Sequence, residues 1–253
     1  MTQKRLDQFY TNEDVALQCL EMVSLDGYDI ILEPSAGSGA FYKHLPPTRR
    51  LGLDLEPAHD EIMQQDYFEF VPDKTKSYLI IGNPPFGKNS SLAKRFFNKS
   101  AEFSDAIAFV LPRTFRKPST INQLDKYFHL SKDVILGKNS FHLPDGTLYN
   151  VPCVFQVWER RPQPRKKIPT VVTCDDFEFV GIDKPKGGPP TEQAMQAQRD
   201  AATICIRRVG AGAGDLYDDY RIKKRDWKSH YYIKTDNPRV REIMSRIVWD
   251  DAS

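Results

Sequence analysis

The sequence predicts an α/β chain: a seven-stranded sheet, mostly parallel with its last strand antiparallel, followed by a small C-terminal β-rich module. Three observations predict it. Apolar runs alternate with segments of helical spacing over the first part of the chain, as a parallel sheet wound on both faces requires. The last two strand-like runs have no crossover helix between them, so they pair antiparallel. Composition then changes abruptly at Arg160-Arg161-Pro162-Gln163-Pro164-Arg165-Lys166-Lys167, which divides residues 1–161 from residues 162–253.

The elements follow in order. Val15, Ala16, Cys19, Leu20 and Val23 recur at helical spacing, with Thr11 or Asn12 as cap and Glu13 and Asp14 in the first turn. Phe9 and Tyr10 therefore lie just before a helix, as a hydrophobic staple or as ligand contacts. Tyr28 to Leu32 reads as a buried strand running into Glu33-Pro34-Ser35-Ala36-Gly37-Ser38-Gly39, with a short helical stretch from Ala40 to Leu45. Glycines at 37 and 39 let backbone pass close to a ligand, and the helix start favours an anionic group. A dinucleotide fingerprint wants a third glycine where Tyr42 stands, so NAD is disfavoured and a smaller nucleoside preferred. The next strand, Leu51 to Pro57, ends in acids about twenty residues beyond Glu33, the separation at which a carboxylate meets a ribose. Asp54 is the better candidate of Asp54 and Glu56, and Pro57 opens a helix through Met63. Gln64 to Phe68 marks a third strand, whose Asp66 either accepts from an adenine amine or is a surface turn residue.

The run Tyr78 to Gly82 stops at Asn83-Pro84-Pro85-Phe86. Proline has no N–H for a sheet ladder, so the chain must leave the sheet as an irregular loop there. The Asn83 side-chain oxygen and the Pro84 carbonyl can each accept a hydrogen bond, and Phe86 supplies a flat face. An amino group on a heteroaromatic base fits that arrangement. Ser91 to Phe103 reads as a one-faced helix, Ala106 to Leu111 as a fifth buried strand, and Ile121 to Phe128 as a helix. Val134 to Leu136 and Val151 to Trp158 are the last two strands of the sheet, joined through His142-Leu143-Pro144-Asp145-Gly146, where Asp-Gly marks a turn. Beyond the boundary the expectations are a β-rich piece from Pro169 to Val180, a mobile loop from Asp183 to Asp200, a strand from Thr203 to Val209, a flexible glycine run from Gly210 to Gly214, and a helix from Pro238 to Trp249.

The 253 residues carry a formal net charge of only +2, so the distribution of charge matters more than its sum. Basic residues collect at Lys88, Lys94, Arg95 and Lys99, at Arg113, Arg116 and Lys117, at Arg160 through Lys167, and at Arg221 through Lys228. Any one cluster reads more readily as a solvated surface with compensating acids, but several flanking one site would suit a polyanion. Cys19, Cys153, Cys174 and Cys205 lie far apart with no histidine at zinc-ligand spacing, so neither a metal site nor a disulfide framework is expected. The N-terminus lacks an apolar signal core and no run approaches a membrane span, which leads to the expectation of an intracellular, reducing compartment, cytoplasmic or nucleoid or nuclear.

Taken together and in order, Gln8-Phe9-Tyr10-Thr11, Glu33-Pro34-Ser35-Ala36-Gly37-Ser38-Gly39, Asp54, Asp66 and Asn83-Pro84-Pro85-Phe86 resemble the amino-methyltransferases that use S-adenosylmethionine. More narrowly, the order is similar to that of gamma-class N6-adenine DNA methyltransferases. The resemblance covers roughly residues 6 to 160. It implies a Rossmann-like methyltransferase sheet binding S-adenosyl-L-methionine. Phe9, Tyr10 and Thr11 would line the methionine end, with Pro34, Ser35, Ala36, Gly37 and Gly39 giving backbone access. Glu33 would orient the methionine amino group, Asp54 would hold the ribose, and Asp66 would read the cofactor's adenine with Tyr67 or Phe68 beside the ring. Asn83, Pro84, Pro85 and Phe86 would be the catalytic loop, with a flipped-out adenine stacked on Phe86. Lys88, Arg113, Arg116 and Lys117 would hold phosphates.

The sequence also departs from that family, because the region from Pro162 to Ser253 is small for a DNA-recognition domain. Either it reads a short DNA site with Arg207, Arg208, Lys223, Lys224 and Arg225, or the substrate is structured RNA recognised by shape. The readings kept beside adenine in DNA are an RNA N6-adenine methyltransferase, a protein methyltransferase, and a catalytically silent nucleic-acid-binding or partner subunit.

Overall fold

The computed structural model describes residues 9–170, 174–209, 213–221 and 225–247. They belong to two compact units, residues 1–170 and residues 171–253. The first unit runs β1 (Tyr10–Thr11), α1 (Glu13–Leu20), β2 (Ile30–Glu33), β3 (Arg50–Asp54), β4 (Met63–Gln64), β5 (Tyr78–Gly82), α2 (Ser91–Ser100), β6 (Ala106–Pro112), α3 (Pro118–Ile121), β7 (Phe128–Ile135), β8 (Phe141–His142), β9 (Leu148–Tyr149) and β10 (Cys153–Arg160). Seven of these strands form one sheet in the order β4-β3-β2-β5-β6-β10-β7. Neighbours from β4 to β6 are parallel, while β10 runs antiparallel to both β6 and β7. This is the seven-stranded, mostly parallel Rossmann-like sheet with an antiparallel last strand that the sequence leads one to expect.

Burial explains the unbroken apolar runs. Every residue of β5 is buried, as are Ala106 to Leu111 of β6, because the centre of a wound sheet is covered on both faces. Each large side chain removed from water there contributes roughly 1.5–3 kcal/mol. The connection order reverses around β2: the chain moves out through β3 to β4, then returns to the other side of β2 as β5. Such a switch point opens a crevice outside the carboxyl ends of the strands. Both the glycine turn after β2 and the proline loop after β5 leave the sheet there.

Several crossovers are shorter than periodicity suggests. Residues Ala40 to Leu45 form only a 3-10 turn at Tyr42–His44. Pro57 to Met63 is turn, not helix: Ile62 is the buried side chain of that stretch, Glu61 pairs with Arg50, and the Glu61 carbonyl accepts the Tyr42 hydroxyl at 3.3 Å. The expected third strand is reduced to Met63–Gln64, after which Tyr67–Glu69 forms another 3-10 turn capped by Asp66. Ile121 to Phe128 is not a helix either. The Arg165 guanidinium donates to the carbonyls of Ile121 at 3.1 Å, Leu124 and Asp125 at 3.3 Å each, and Phe128 at 3.1 Å, occupying acceptors a helix would use itself.

A small second sheet, in the order β1-β8-β9, was not foreseen. Its hairpin turns at Asp145-Gly146, where Gly146 has φ +82° and Asp145 Oδ1 accepts the Thr147 N–H at 2.9 Å. Asn12 ties the N-terminal segment to it, with Nδ2 donating to the Asn139 carbonyl at 2.7 Å and Oδ1 standing 2.6 Å from His142 Nδ1. The segment carrying Phe9 to Thr11 is thus held by a strand pair far away in sequence.

The second unit holds β11 (Glu178–Phe179), α4 (Glu192–Ala201), β12 (Ile204–Arg207), β13 (Leu216–Tyr217), β14 (His230–Lys234) and α5 (Pro238–Arg246), with an antiparallel sheet in the order β11-β14-β12-β13. Ile204, Ile206 and Ile233 pack with Val240 and Met244 of α5. The second half of Asp183 to Asp200 is therefore not a mobile loop: Thr191 caps α4, and buried Arg199 bonds Gln196 and Glu192. Gly210 to Gly212, Lys223, Lys224, Trp249 and part of the Pro169 to Val180 piece lie outside the described residues. Among the described residues no helix is long and apolar enough to cross a membrane.

Candidate functional site

A cavity of about 340 Å³ opens at the switch point, walled by Phe9 to Thr11, Pro34 to Ser38, Ala40, Asp54 to Glu56, Gln65 to Phe68, Asn83 to Pro85, and Leu92, Arg95 and Phe96 of α2. The order in which these segments leave the sheet places them. The turn after β2 forms the floor, the acidic end of β3 one side, and the loop after β5 the other.

The acidic side is built around Asp54. Its Oδ2 accepts the Gly37 N–H at 2.7 Å and its Oδ1 accepts the Glu56 N–H at 2.8 Å. An ionised carboxylate has about four acceptor positions, so two backbone bonds orient the group and leave capacity on both oxygens. Gly37 is needed there: its φ is +50°, and a Cβ would stand 2.7 Å from Tyr10 Cε1. Burial raises the Tyr10 phenol above its ordinary pKa, with the charges of Asp54 and Glu56 adding to it. Thr11 is 4% exposed and its Oγ1 has no partner.

The next wall is aromatic. Asp66 Oδ1 caps the turn by accepting the Phe68 N–H at 2.8 Å. Tyr67 is buried, with its hydroxyl 2.8 Å from Ser100 Oγ and its ring stacked on Phe96 at 5.2 Å. Arg95 lies over Phe68, 4.3 Å from the ring centroid.

Across the cavity stands the proline loop. The Asn83 carbonyl accepts from Ser35 Oγ at 3.2 Å, joining the loop to the glycine turn. Its side-chain Oδ1 is buried without any hydrogen-bond partner. A buried acceptor left unpaired costs about 1–3 kcal/mol, so it marks a place that a donor would fill.

Three residues expected at the site stand behind it. Glu33 is 2% exposed, accepts the Tyr42 N–H at 2.8 Å and packs against Gly82. Burial holds its carboxyl well above the ordinary range, opposed by the Tyr42 bond and helped by Asp54. Gly39 faces Lys43 and Ile62. Phe86 is 8% exposed and belongs to the core, in a T-shaped contact with Phe9 at 5.1 Å between centroids, and it does not line the cavity.

No protein-family model matches the chain. It is 33% identical over 121 residues to the protein ENHANCED DOWNY MILDEW 2 of Arabidopsis thaliana, a match covering 44% of this chain and 9% of the relative. It is 30% identical over 122 residues to ribosomal RNA small subunit methyltransferase A of Flavobacterium johnsoniae, covering 41% of this chain and 45% of the relative. The matched stretches thus span less than half of either relative's length. Among solved structures it is similar to a modification subunit assigned to a type I restriction enzyme of Vibrio vulnificus, at 15% identity and a TM-score of 0.49, with 96% of this chain and 62% of that one covered.

The cations are placed unevenly. Lys88 and Lys117 are exposed, while Arg116 is paired to Asp133 at 2.7 Å and Arg113 has its Nε buried without a partner. In the second unit, Arg207 Nε donates to the Val209 carbonyl at 3.0 Å and Arg208 Nε to the Lys228 carbonyl at 2.9 Å. Among the described residues no group of three or more His, Cys, Asp or Glu could hold a metal ion. Sequence reasoning missed Leu55, Gln65, Leu92, Arg95 and Phe96 as cavity residues. The signal for Leu92, Arg95 and Phe96 was present as helical spacing after the proline loop, which puts one face of α2 toward the cavity beside that loop.

Proposed function

We propose that the chain binds S-adenosyl-L-methionine and transfers its methyl group to the N6 amine of a flipped-out adenine in nucleic acid, with DNA as the first reading. The observation that carries this is Asn83 Oδ1, buried and unpaired in the wall of a cavity whose far side holds the Asp54 carboxylate. The residues present fit the cofactor. Asp54 retains acceptor capacity for a vicinal diol, Gly37 keeps the floor low, and the unpartnered Thr11 hydroxyl suits a carboxylate or ammonium.

When bound, the cofactor supplies a methyl group on an electrophilic sulfonium. The protein's task is then the amine, a poor nucleophile because its lone pair is delocalised into the ring. Asn83 Oδ1 and the Pro84 carbonyl each accept one N–H, which orients the nitrogen and favours the pyramidal geometry that frees the lone pair. In this reading Tyr67, Phe68 and Asp66 receive the cofactor's adenine. Lys88 and Lys117 stay exposed for phosphates, whereas Arg116 is held by Asp133.

A second reading, methylation of RNA, is favoured by the 30% identity to a ribosomal RNA methyltransferase. One assay separates these from a silent binding subunit and from a protein methyltransferase. The protein is incubated with methyl-labelled cofactor and duplex DNA, single-stranded DNA, RNA or nuclease-treated extract, and the products are digested to nucleosides. Label in N6-methyldeoxyadenosine is expected; label in the ribonucleoside selects RNA, label in protein alone overturns the nucleic-acid reading, and no label leaves a binding role.

A further inference from the structure

The second unit carries an aromatic and basic surface of its own. Its Asp226–Ser229 turn precedes β14 and is fastened by short bonds, with Asp226 Oδ1 accepting the Lys228 N–H at 2.9 Å and the Asp226 carbonyl accepting the Ser229 N–H at 3.0 Å. Trp227 lies in this turn, half-buried, with Lys184 Nζ 5.1 Å and Lys228 Nζ 5.6 Å from its ring centroid. Both lysines are exposed. Arg208 joins them: its main-chain N–H donates to the Ser229 carbonyl and its Nε to the Lys228 carbonyl, each at 2.9 Å, and its guanidinium carbon lies 5.4 Å from the Tyr231 ring centroid. Among the described residues none of these three cations has a carboxylate partner.

We propose that Trp227 is a stacking seat for an unpaired base of single-stranded nucleic acid, with Lys184, Lys228 and Arg208 on the adjoining phosphates. The inference deepens the reading that the chain acts on nucleic acid and takes its ligand class from it. An indole screened by flexible exposed lysines can exchange a lysine for a base, since every base has a flat face and stacking tolerates any sequence. Two lysines at that ring, with Arg208 bonded to the same turn, then meet a charged backbone, which a lone anion would not need. The fixed turn holds the indole in place before the ligand arrives, which limits the entropy lost on binding.

The test uses the whole protein with fluorescein-labelled single-stranded DNA, single-stranded RNA, duplex DNA and a polyglutamate peptide, read by anisotropy over a salt series. Trp227→Ala is expected to weaken single-strand binding by about tenfold and duplex binding much less, while Trp227→Phe keeps most of it. Lys184→Gln with Lys228→Gln is expected to lower the slope of log affinity against log salt by about 1.4 on single strands. Unchanged single-strand affinity in folded Trp227→Ala, equal loss on duplex, or polyglutamate binding as tight as oligonucleotide would each overturn the seat. The nucleoside assay is run on the same samples, so the two readings fail separately. Methyl transfer with no effect of residue 227 sinks the seat alone, whereas Trp227-dependent binding with no methyl transfer sinks the enzymatic reading alone.

Discussion

Tyr10 lies on the backbone of Gly37, so close that a Cβ on residue 37 would stand 2.7 Å from Tyr10 Cε1. The same glycine donates its N–H to Asp54 at 2.7 Å. One residue therefore joins the N-terminal segment, the turn after β2 and the acid at the end of β3.

Gly37→Ala should weaken cofactor binding by about tenfold or more, because Ala strains the left-handed backbone by roughly 1–2 kcal/mol and also displaces the Tyr10 ring. Gly39→Ala meets its nearest neighbour at an ordinary 3.5 Å, so it should lower the melting temperature with little change in affinity. Titration calorimetry on both variants checks this. Equal affinity losses would mean that backbone strain alone is responsible.

Asn83→Ala should reduce turnover by about two to three orders of magnitude, the scale seen when one preorganised polar group at a reacting centre is removed. Cofactor affinity should stay near normal, because the main-chain carbonyl that accepts from Ser35 remains. Parallel loss of affinity and turnover would assign the side chain a structural role.

Asp54→Ala should weaken the cofactor by about ten- to a hundredfold, as hydrogen bonds to a charged group contribute about 1.5–3 kcal/mol. It also unpairs the Gly37 and Glu56 N–H groups, so Asp54→Asn provides a milder comparison. Affinity unchanged in both would remove Asp54 from the ribose.

Glu33 gives a pH prediction with a definite sign. Burial raises its folded-state pKa well above the ordinary 4.5. Such a group contributes its full stability below the unfolded value and loses it as pH rises through the folded value. Glu33→Gln cannot ionise and keeps an acceptor for the Tyr42 N–H. Its stability by urea unfolding should exceed that of the wild type by an amount that grows from pH 5 to pH 8. A difference constant with pH would show that Glu33 is charged in the folded protein.

Much of this was legible in the chain itself. Apolar runs at Tyr78 to Ile81 and Ala106 to Leu111 announced central strands, and two consecutive prolines after Gly82 announced where the chain had to leave the sheet. Thirteen of the expected site residues from Phe9 to Pro85 do line one cavity: ten because the motifs that carry them lie at the carboxyl ends of strands of the large sheet, and Phe9 to Thr11 because β1 pairs with β8. One failure shows why the rest was not legible. Ile121 to Phe128 has helical spacing, but its carbonyls are taken by Arg165, a residue whose location in space its sequence position does not reveal.

Local pattern, then, determined the central strands of the large sheet, where β5 stopped, and which polar groups stood at the strand ends, since those properties depend on each segment's own side chains and on proline and glycine geometry. Tertiary structure alone decided what those groups face. Phe86 turned to the core because Phe9, pinned through the hairpin at Phe141 to Tyr149, took the space beside it. Glu33 withdrew behind Gly82, and Asn83 Oδ1 was left unpaired, because pairing between distant residues is settled by packing and not by spacing along the chain.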